Sequence, residues 1–351
     1  DSYIGLCGIK DYKLFWEKLK LLPNTNSLSD VHVINEMLKS VNFKFHKINK
    51  WLDMGNANEL NKTRKYFGSS IEVLDKLNES IYFFDDFVIK FFSDSNISNN
   101  RVKRAQTLKG LVPDIIKSSS NFYKYKKAEG KLFSKSVNEK TFKSFLEWTK
   151  NNLWKTKTSS NFTERCFDFY ITKTNKRVKQ YLKGENDTPK NINGELIPPI
   201  EDLLLQVNKK WLCNGIPSQF HGDFILDNII ETKSNFTLID WRQDFGGDLE
   251  AGDIYYDLAK LNHNLTVNHG IIDQKLYNSS PNNCYILCNS TLLRCKELLH
   301  KFIIDEGYDL NKVKLLSSII WINMAPLHEY PFNRFLFNFG KYNLYKTLQN
   351  D

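Results

Sequence analysis

The sequence predicts an α+β protein in which a small β-rich unit precedes a larger helical one. Between Ile71 and Phe92, runs rich in β-branched and aromatic residues are separated by short polar turns. From Lys131 onward, apolar residues recur at three- and four-residue spacing, the pattern of helices that bury one face. Within that helical half lies a β-hairpin pattern, Ile229 to Glu231 and Phe236 to Ile239, joined by a Thr-Lys-Ser-Asn turn. At 351 residues and 41% hydrophobic content the chain can bury sizeable cores, and its length suggests two or three domains.

Residues 1–66 read as a segment apart. Helices over Lys10 to Leu21 and Ser29 to Lys39 precede a strand at Phe43 to His46. The stretch Trp51-Leu52-Asp53-Met54-Gly55-Asn56 then leads into a helix ending at Phe67. The opening Tyr3-Ile4-Gly5-Leu6-Cys7-Gly8-Ile9-Lys10-Asp11-Tyr12, with Phe15-Trp16 and the WLDMGN stretch, resembles the late portion of sugar-phosphate nucleotidyltransferases. The resemblance implies that Asp53 is the aspartate near that family's catalytic metal. The family's Gly-rich nucleotide loop and first metal aspartate have no counterpart here. The expectation is therefore the C-terminal part of a nucleotidyltransferase-like domain, with its catalytic portion upstream in the same polypeptide. A remnant used for docking, or an unrelated helical cap, would also fit.

The β-rich unit is expected over residues 67–130. Its runs are Ile71 to Leu74, Ser80 to Phe84 and Phe87 to Phe92, with turns at Asn78-Glu79 and Asp85-Asp86. The third run places Lys90 inside a strand, in the sequence Val88-Ile89-Lys90. A helix is expected from Asn96 to Lys109. It carries Arg101, Lys103 and Arg104 but no glutamate. Asn121 to Gly130 reads as a last strand running into a connection.

The richest stretch is His221-Gly222-Asp223-Phe224-Ile225-Leu226-Asp227-Asn228, followed eleven residues later by Ile239-Asp240-Trp241. Asp223 can accept or orient a hydroxyl proton. Asn228 and Asp240 are hard oxygen donors of the kind Mg²⁺ prefers, and the intervening hairpin returns Asp240 to the neighbourhood of Asn228. Gly252-Asp253-Ile254-Tyr255-Tyr256-Asp257-Leu258-Ala259 follows, with Asp253 placed to meet the free N–H groups of a helix start.

HGDxxxxN, the hydrophobic-Asp-Trp strand end and GDxxxDLA together resemble the aminoglycoside phosphotransferase and choline kinase-like enzymes. That resemblance implies a two-lobed, protein-kinase-like fold with residues 67–130 as the small lobe and 131–351 as the large lobe. It also implies ATP and Mg²⁺ as cofactors. Asp223 would be the catalytic residue, and Asn228 and Asp240 the metal ligands. Lys90 would bind the nucleotide's α- and β-phosphates. Backbone groups from Asn78 to Ser80 would cap the phosphates, and those from Tyr125 to Lys127 would receive adenine. His221, Asp253 and Asp257 would support the loop. Two departures stand out: the first turn has no glycines, and the helix after Lys90 has no glutamate to position that lysine.

Further helices are expected at Thr141 to Leu153, Phe162 to Leu182, Ile200 to Leu212, Leu249 to His263, Asn283 to Asp305 and Leu310 to Met324. Gly184 to Pro199 reads as a loop. Cys284, Cys288 and Cys295 would share one helix face as core thiols. Candidate acceptor contacts are Arg242, Gln243 and Asp244 after the metal aspartate, and Trp321, His328, Glu329 and Tyr330 later in the chain.

A net charge of +9 and a basic stretch from Arg101 to Lys140 raise nucleic-acid binding, but no recognition signature accompanies them. No apolar stretch reaches the roughly 18–20 residues that span a bilayer, and no signal peptide opens the chain, so a cytoplasmic protein is expected. The functional expectation is an ATP- and Mg²⁺-dependent kinase for a hydroxyl of a sugar, polyol or amino alcohol. Its fusion to a nucleotidyltransferase-like piece suggests bacterial surface-polysaccharide precursor synthesis. The alternative is a catalytically silent kinase-fold scaffold.

Overall fold

A computed structural model describes residues 7–23, 29–46, 50–66, 72–76, 78–233 and 235–349. The chain divides into two compact units, residues 1–71 and 72–351. The second unit holds both the β-rich and the helical parts.

The first unit holds three helices, α1 (Tyr12–Leu21), α2 (Asp30–Leu38) and α3 (Ala57–Tyr66). A reciprocal cap between Ser29 and His32 starts α2. Val33 and Met37, one turn apart, are its buried residues. The strand expected at Phe43 to His46 does not form: the segment is irregular and Phe45 is 82% exposed. Alternating aromatic residues suit a strand, but a strand also needs a partner edge, and among the described residues this segment has none. Tyr3 to Leu6, Phe67 and Ile71 fall outside the described residues.

The second unit opens with an antiparallel five-stranded sheet in the order β1-β2-β3-β5-β4. The strands are β1 (Glu72–Lys76), β2 (Glu79–Phe83), β3 (Phe87–Phe92), β4 (Ile115–Ser118) and β5 (Phe122–Lys126). Along β3 the two-residue period puts Val88, Lys90 and Phe92 on one buried face. The lysine is buried because its strand neighbours demand it. Helix α4 (Ser95–Thr107) packs on β3, β4 and β5, and starts at Asp94, whose carboxylate accepts the Asn96 N–H at 2.9 Å. The short strand β4 was not anticipated.

Beyond the sheet the unit is mostly helical. Helix Glu139–Asn152 forms as expected. So does the stretch from Phe162 to Leu182, although a π-helical turn, Asp168–Thr172, interrupts it. Helix Ile254–Asn264 is buried on nearly every face, and helices Leu310–Met324 and Phe332–Leu348 pack on each other.

Other expectations are corrected. Ile200 to Leu212 is two helices, because Asn208 leaves the helix to cap Lys209–Cys213 by accepting the Trp211 N–H at 3.1 Å. Gly184 to Pro199 contains a hairpin, Lys190–Ile192 with Glu195–Ile197, turned by Asn193 and Gly194 at positive φ. The helix expected from Asn283 begins only at Ser290, after a hairpin of Tyr277–Ser279 with Cys284–Ile286. Cys284 is therefore in a strand and Cys288 is exposed, while Cys295 is buried in the helix, so they share no helix face.

Candidate active site

The loop from His221 to Asn228 is fixed from behind by helix Ile254–Asn264. Asp257 accepts the backbone N–H groups of His221 at 2.8 Å and of Gly222 at 2.7 Å, and the Trp154 indole N–H at 3.3 Å. Two turns further on, Asn264 accepts the Leu226 N–H at 2.9 Å. Burial raises the Asp257 carboxyl to about 6, and these donors only partly offset it. Gly222 sits at φ +88° against the Arg242 side chain, where any Cβ would collide, so the loop needs glycine there.

His221 is buried and neutral. Its Nε2–H donates to the Ile239 carbonyl at 2.9 Å, and its Nδ1 accepts the Asp223 N–H at 3.2 Å. Burial lowers its pKa to about 4. The ring thereby ties the loop to the end of the hairpin formed by Ile229–Glu231 and Phe236–Leu238. Asp253 is the N-cap of helix Ile254–Asn264, and also takes the Ile216 N–H at 3.0 Å and the Tyr170 hydroxyl at 2.8 Å.

Asp223 and Asn228 meet. The Asn228 amide donates to the Asp223 carbonyl at 2.8 Å and to its carboxylate at 3.1 Å. The other Asp223 oxygen pairs with Lys260 at 2.8 Å, yet 38% of the side chain stays open. Burial would raise the Asp223 pKa, but Lys260 outweighs it and the net shift is downward. Lys260 was missed in the sequence reading. It lies one helical turn beyond Asp257, which could have flagged it.

Asp240 follows the hairpin at φ +57°, a strained conformation for any residue but glycine. Its carboxylate meets Lys90 at 2.6 Å and also Arg101 of α4. Burial alone would raise its pKa, but these cations hold it well below the usual carboxylate range. Lys90 is also 3.5 Å from Glu79 of β2. Strand β2 thus supplies the acid that the helix lacks, and the helix supplies a cation instead. Next in line, Trp241 donates its indole N–H to the Arg101 carbonyl at 2.8 Å. Arg104, fully buried, lies on the Phe220 ring and donates to the carbonyls of Phe220, His221, Arg242 and Leu249. Both arginines bind α4 to the loop.

Several expected contacts lie elsewhere. Ser80 is inside β2, between Asp75 and Phe91, because the turn falls earlier than expected. Tyr125 is buried and its backbone runs in the ladder between β3 and β4, while the Lys127 N–H donates to the Asp86 carbonyl at 3.0 Å. Trp321 is 3% exposed, packed on Phe339, and presents no open ring face. Glu329 is exposed. Asp244 accepts the Gly247 N–H at 3.1 Å, and Arg242 donates to the Asp244 carbonyl at 3.1 Å, so both shape the segment after Trp241.

In the first unit, the Asp53 carboxylate closes its own turn onto the Gly55 N–H at 2.9 Å, while its carbonyl accepts the Thr63 hydroxyl at 2.9 Å. Among the described residues no cluster of three or more His, Cys, Asp or Glu is set to hold a metal. A cavity of about 440 Å³ lined by Gln206, Trp211, Asp309 and Leu315 contains none of the loop residues. Among the described residues no helix is long and apolar enough to cross a membrane.

No family model matches the chain, and no curated protein matches it. Among solved structures, it is similar to APH(2″)-IIa in a ternary complex with streptomycin and ATP, at 14% identity and TM-score 0.46, over 84% of this chain and 97% of that one. It is also similar to a choline kinase from Cryptosporidium parvum Iowa II, at 15% identity and TM-score 0.47, over 81% and 90%. An ethanolamine kinase from Plasmodium vivax matches at 13% identity and TM-score 0.44, over 94% and 96%.

Proposed function

We propose that the chain is an ATP- and Mg²⁺-dependent phosphotransferase of kinase-like fold that phosphorylates a hydroxyl of a small molecule. The observation that carries the reading is convergence. The strand lysine Lys90 reaches Asp240 from 150 positions away, and Asp240 follows a hairpin that starts at Asn228, which in turn holds Asp223. An open carboxylate, a buried cation and two hard oxygen donors thus face one region.

The donor set suits the cofactors. Asp240 stays ionised, and one carboxylate plus one amide oxygen leaves coordination positions for phosphate and water, as Mg²⁺ sites with nucleotides require. Asn228 and Asp240 would hold the ion, which when bound would neutralise charge on the nucleotide phosphates. Lys90 would bind the α- and β-phosphates, with Glu79 keeping it oriented. Asp223 would take the acceptor's proton as the acceptor oxygen bonds to the γ-phosphorus and the bond from that phosphorus to the bridging oxygen breaks, releasing ADP. His221, Asp253 and Asp257 would hold the loop still, so that little reorganisation accompanies transfer.

The first unit extends the reading. We propose that it is the end of a nucleotidyltransferase-like domain continuing upstream, with Asp53 near that domain's metal, so that kinase and nucleotidyltransferase would act in sequence in the cytoplasm on a surface-polysaccharide precursor. Support for this is the WLDMGN resemblance alone.

The test is Mg²⁺-dependent ADP release with sugars, polyols, amino alcohols and amino acids as acceptors, beside Asp223→Asn. Stimulation by an acceptor that falls roughly 10²–10⁴-fold in the variant, with nucleotide still bound, is the expected result. Nucleotide binding without stimulation by any acceptor would favour the silent scaffold. Absence of nucleotide binding would remove the kinase reading.

A further inference from the structure

A wall of cations stands beside the Asp223 loop. Beyond Lys260, the ring of Phe169 carries two of them: Lys173 Nζ at 4.2 Å and the Arg242 guanidinium at 4.9 Å from its centroid. Phe169 lies in the π-helical turn Asp168–Thr172, the irregularity that sets where the following helix, Lys173–Leu182, begins. Arg177 is one turn along that helix from Lys173. Arg242 packs against Gly222 of the loop, which joins this group to Asp223.

The acids nearby do not balance these charges. Asp223 is paired with Lys260, and Asp244 accepts the Gly247 N–H at 3.1 Å. Burial, then Arg242, Arg177 and Lys260, push the Lys173 pKa down to about 7, with Asp244 opposing only in part. Side chains that repel one another and are kept half-buried together are the arrangement an anion would relieve. Nearby polar atoms also lack partners. His263, one turn beyond Lys260, is 4% exposed with Nδ1 unpaired, and the indole N–H of the adjacent Trp321 is unpaired too, their ring centroids 6.0 Å apart.

From this geometry we propose that the acceptor carries an anionic group, a carboxylate or a phosphate, held by Lys173, Arg177 and Arg242 while its hydroxyl meets Asp223. This rests on the phosphotransferase reading for the role of Asp223. A quaternary amine or polyamine would want aromatic faces and carboxylates; this wall offers mainly cations. The transfer balances as for any alcohol. The hydroxyl proton passes to Asp223, the acceptor oxygen bonds to the γ-phosphorus, and ADP leaves.

The experiment uses the full chain and matched acceptors: glucose, glucose 1-phosphate, glucose 6-phosphate and glucuronate; glycerol, glycerol 3-phosphate and glycerate; and choline as the cationic member. Binding is measured by calorimetry with and without ATP and Mg²⁺, and turnover by ADP release. The expected result is at least tenfold tighter binding of an anionic member than of its neutral partner. That gap should shrink at high salt and fall at least fivefold in Lys173→Gln and in Arg177→Gln, each checked for an unchanged melting temperature. Phosphate and carboxylate members separate the two sources of charge. Charge-dependent binding without ADP release would keep the anion site and sink the kinase reading. Neutral or cationic acceptors turned over in preference would overturn the anion site and keep the kinase. No charge-dependent binding by any member would overturn the anion site.

Discussion

Two cations converge on Asp240, and the consequence concerns metal affinity. Lys90 and Arg101 both contact one carboxylate that is only 20% exposed. Both meet Oδ1, so a divalent cation would bind through Oδ2 against their repulsion or displace one of them. At an effective dielectric near 20, unit charges about 4 Å apart interact by about 4 kcal/mol before solvent relaxation. Removing one cation should therefore tighten Mg²⁺ binding. Arg101→Met is expected to lower the Mg²⁺ concentration at half-saturation of nucleotide binding about tenfold. Titration of Mg²⁺ against a fluorescent ATP analogue would measure this; an unchanged or higher midpoint would show that Arg101 instead helps to hold the phosphates. The sequence pointed to Lys90 through the resemblance of Val88-Ile89-Lys90 to the kinase strand, and the strand's two-residue period then places it on the buried face. Glu79 as its companion was not legible. That pairing depends on the register that sets Ile81 opposite Lys90, and a turn shifted by one residue would have turned Glu79 to the other face.

Helix α4 acts as a clamp between sheet and loop. Arg101 and Arg104, three residues apart, project from one face. Arg104 donates to four backbone carbonyls, of which that of His221 also accepts the Arg242 N–H at 3.0 Å. Buried carbonyls left without donors are costly, and hydrogen bonds to a charged group are each worth about 1.5–3 kcal/mol. Arg104→Met is accordingly expected to cost about 3 kcal/mol or more and to depress turnover, because the Phe220–His221 backbone loses its support. Urea unfolding at neutral pH, read beside ADP release, checks it. A variant with wild-type midpoint would mean that water replaces the guanidinium. From sequence, α4 was legible in extent, and its basic residues were noted, but not what they bind. Arg104's acceptors are backbone carbonyls, which carry no side-chain signal, and Arg101's is a carboxylate 139 positions along the chain. Asn208 as a cap inside an apolar run and the π-helical turn at Asp168 are settled by tertiary fit, whereas the hairpin within Gly184 to Pro199 carried a local signal, Asn193-Gly194, that the loop reading passed over. The long amphipathic helices and the loop-hairpin motif, whose patterns are local, were readable.

Across the molecule, burial of titratable groups sets the response to acid. His221, His263 and His300 are all held neutral, their pKa values lowered chiefly by burial. Asp257 and Asp253 are raised by burial and act in the opposite sense, since the folded state holds their protons more tightly than the unfolded chain does. His300 offers the cleanest separation, because it lies on helix Ser290–Asp305 and its Nε2 meets Asn262 Oδ1 at 2.8 Å, away from the loop. Burial, with help from Lys296 and Lys314, lowers it from 6.5 to about 4. Above pH 6.5 neither folded nor unfolded protein carries the proton, and His300 contributes nothing to the pH dependence. Between 6.5 and about 4 the unfolded chain takes up a proton that the folded one refuses, so stability falls as pH falls, and below about 4 the loss is complete. After discounting for partial exposure the loss is roughly 2 kcal/mol. His300→Gln keeps an amide N–H for Asn262 and removes the titration. Its melting temperature should therefore drop less than the wild type's between pH 7 and pH 4.5, with the curves parallel above pH 7. Equal drops on the acid side would mean that the folded protein opens at His300 and admits the proton at little cost.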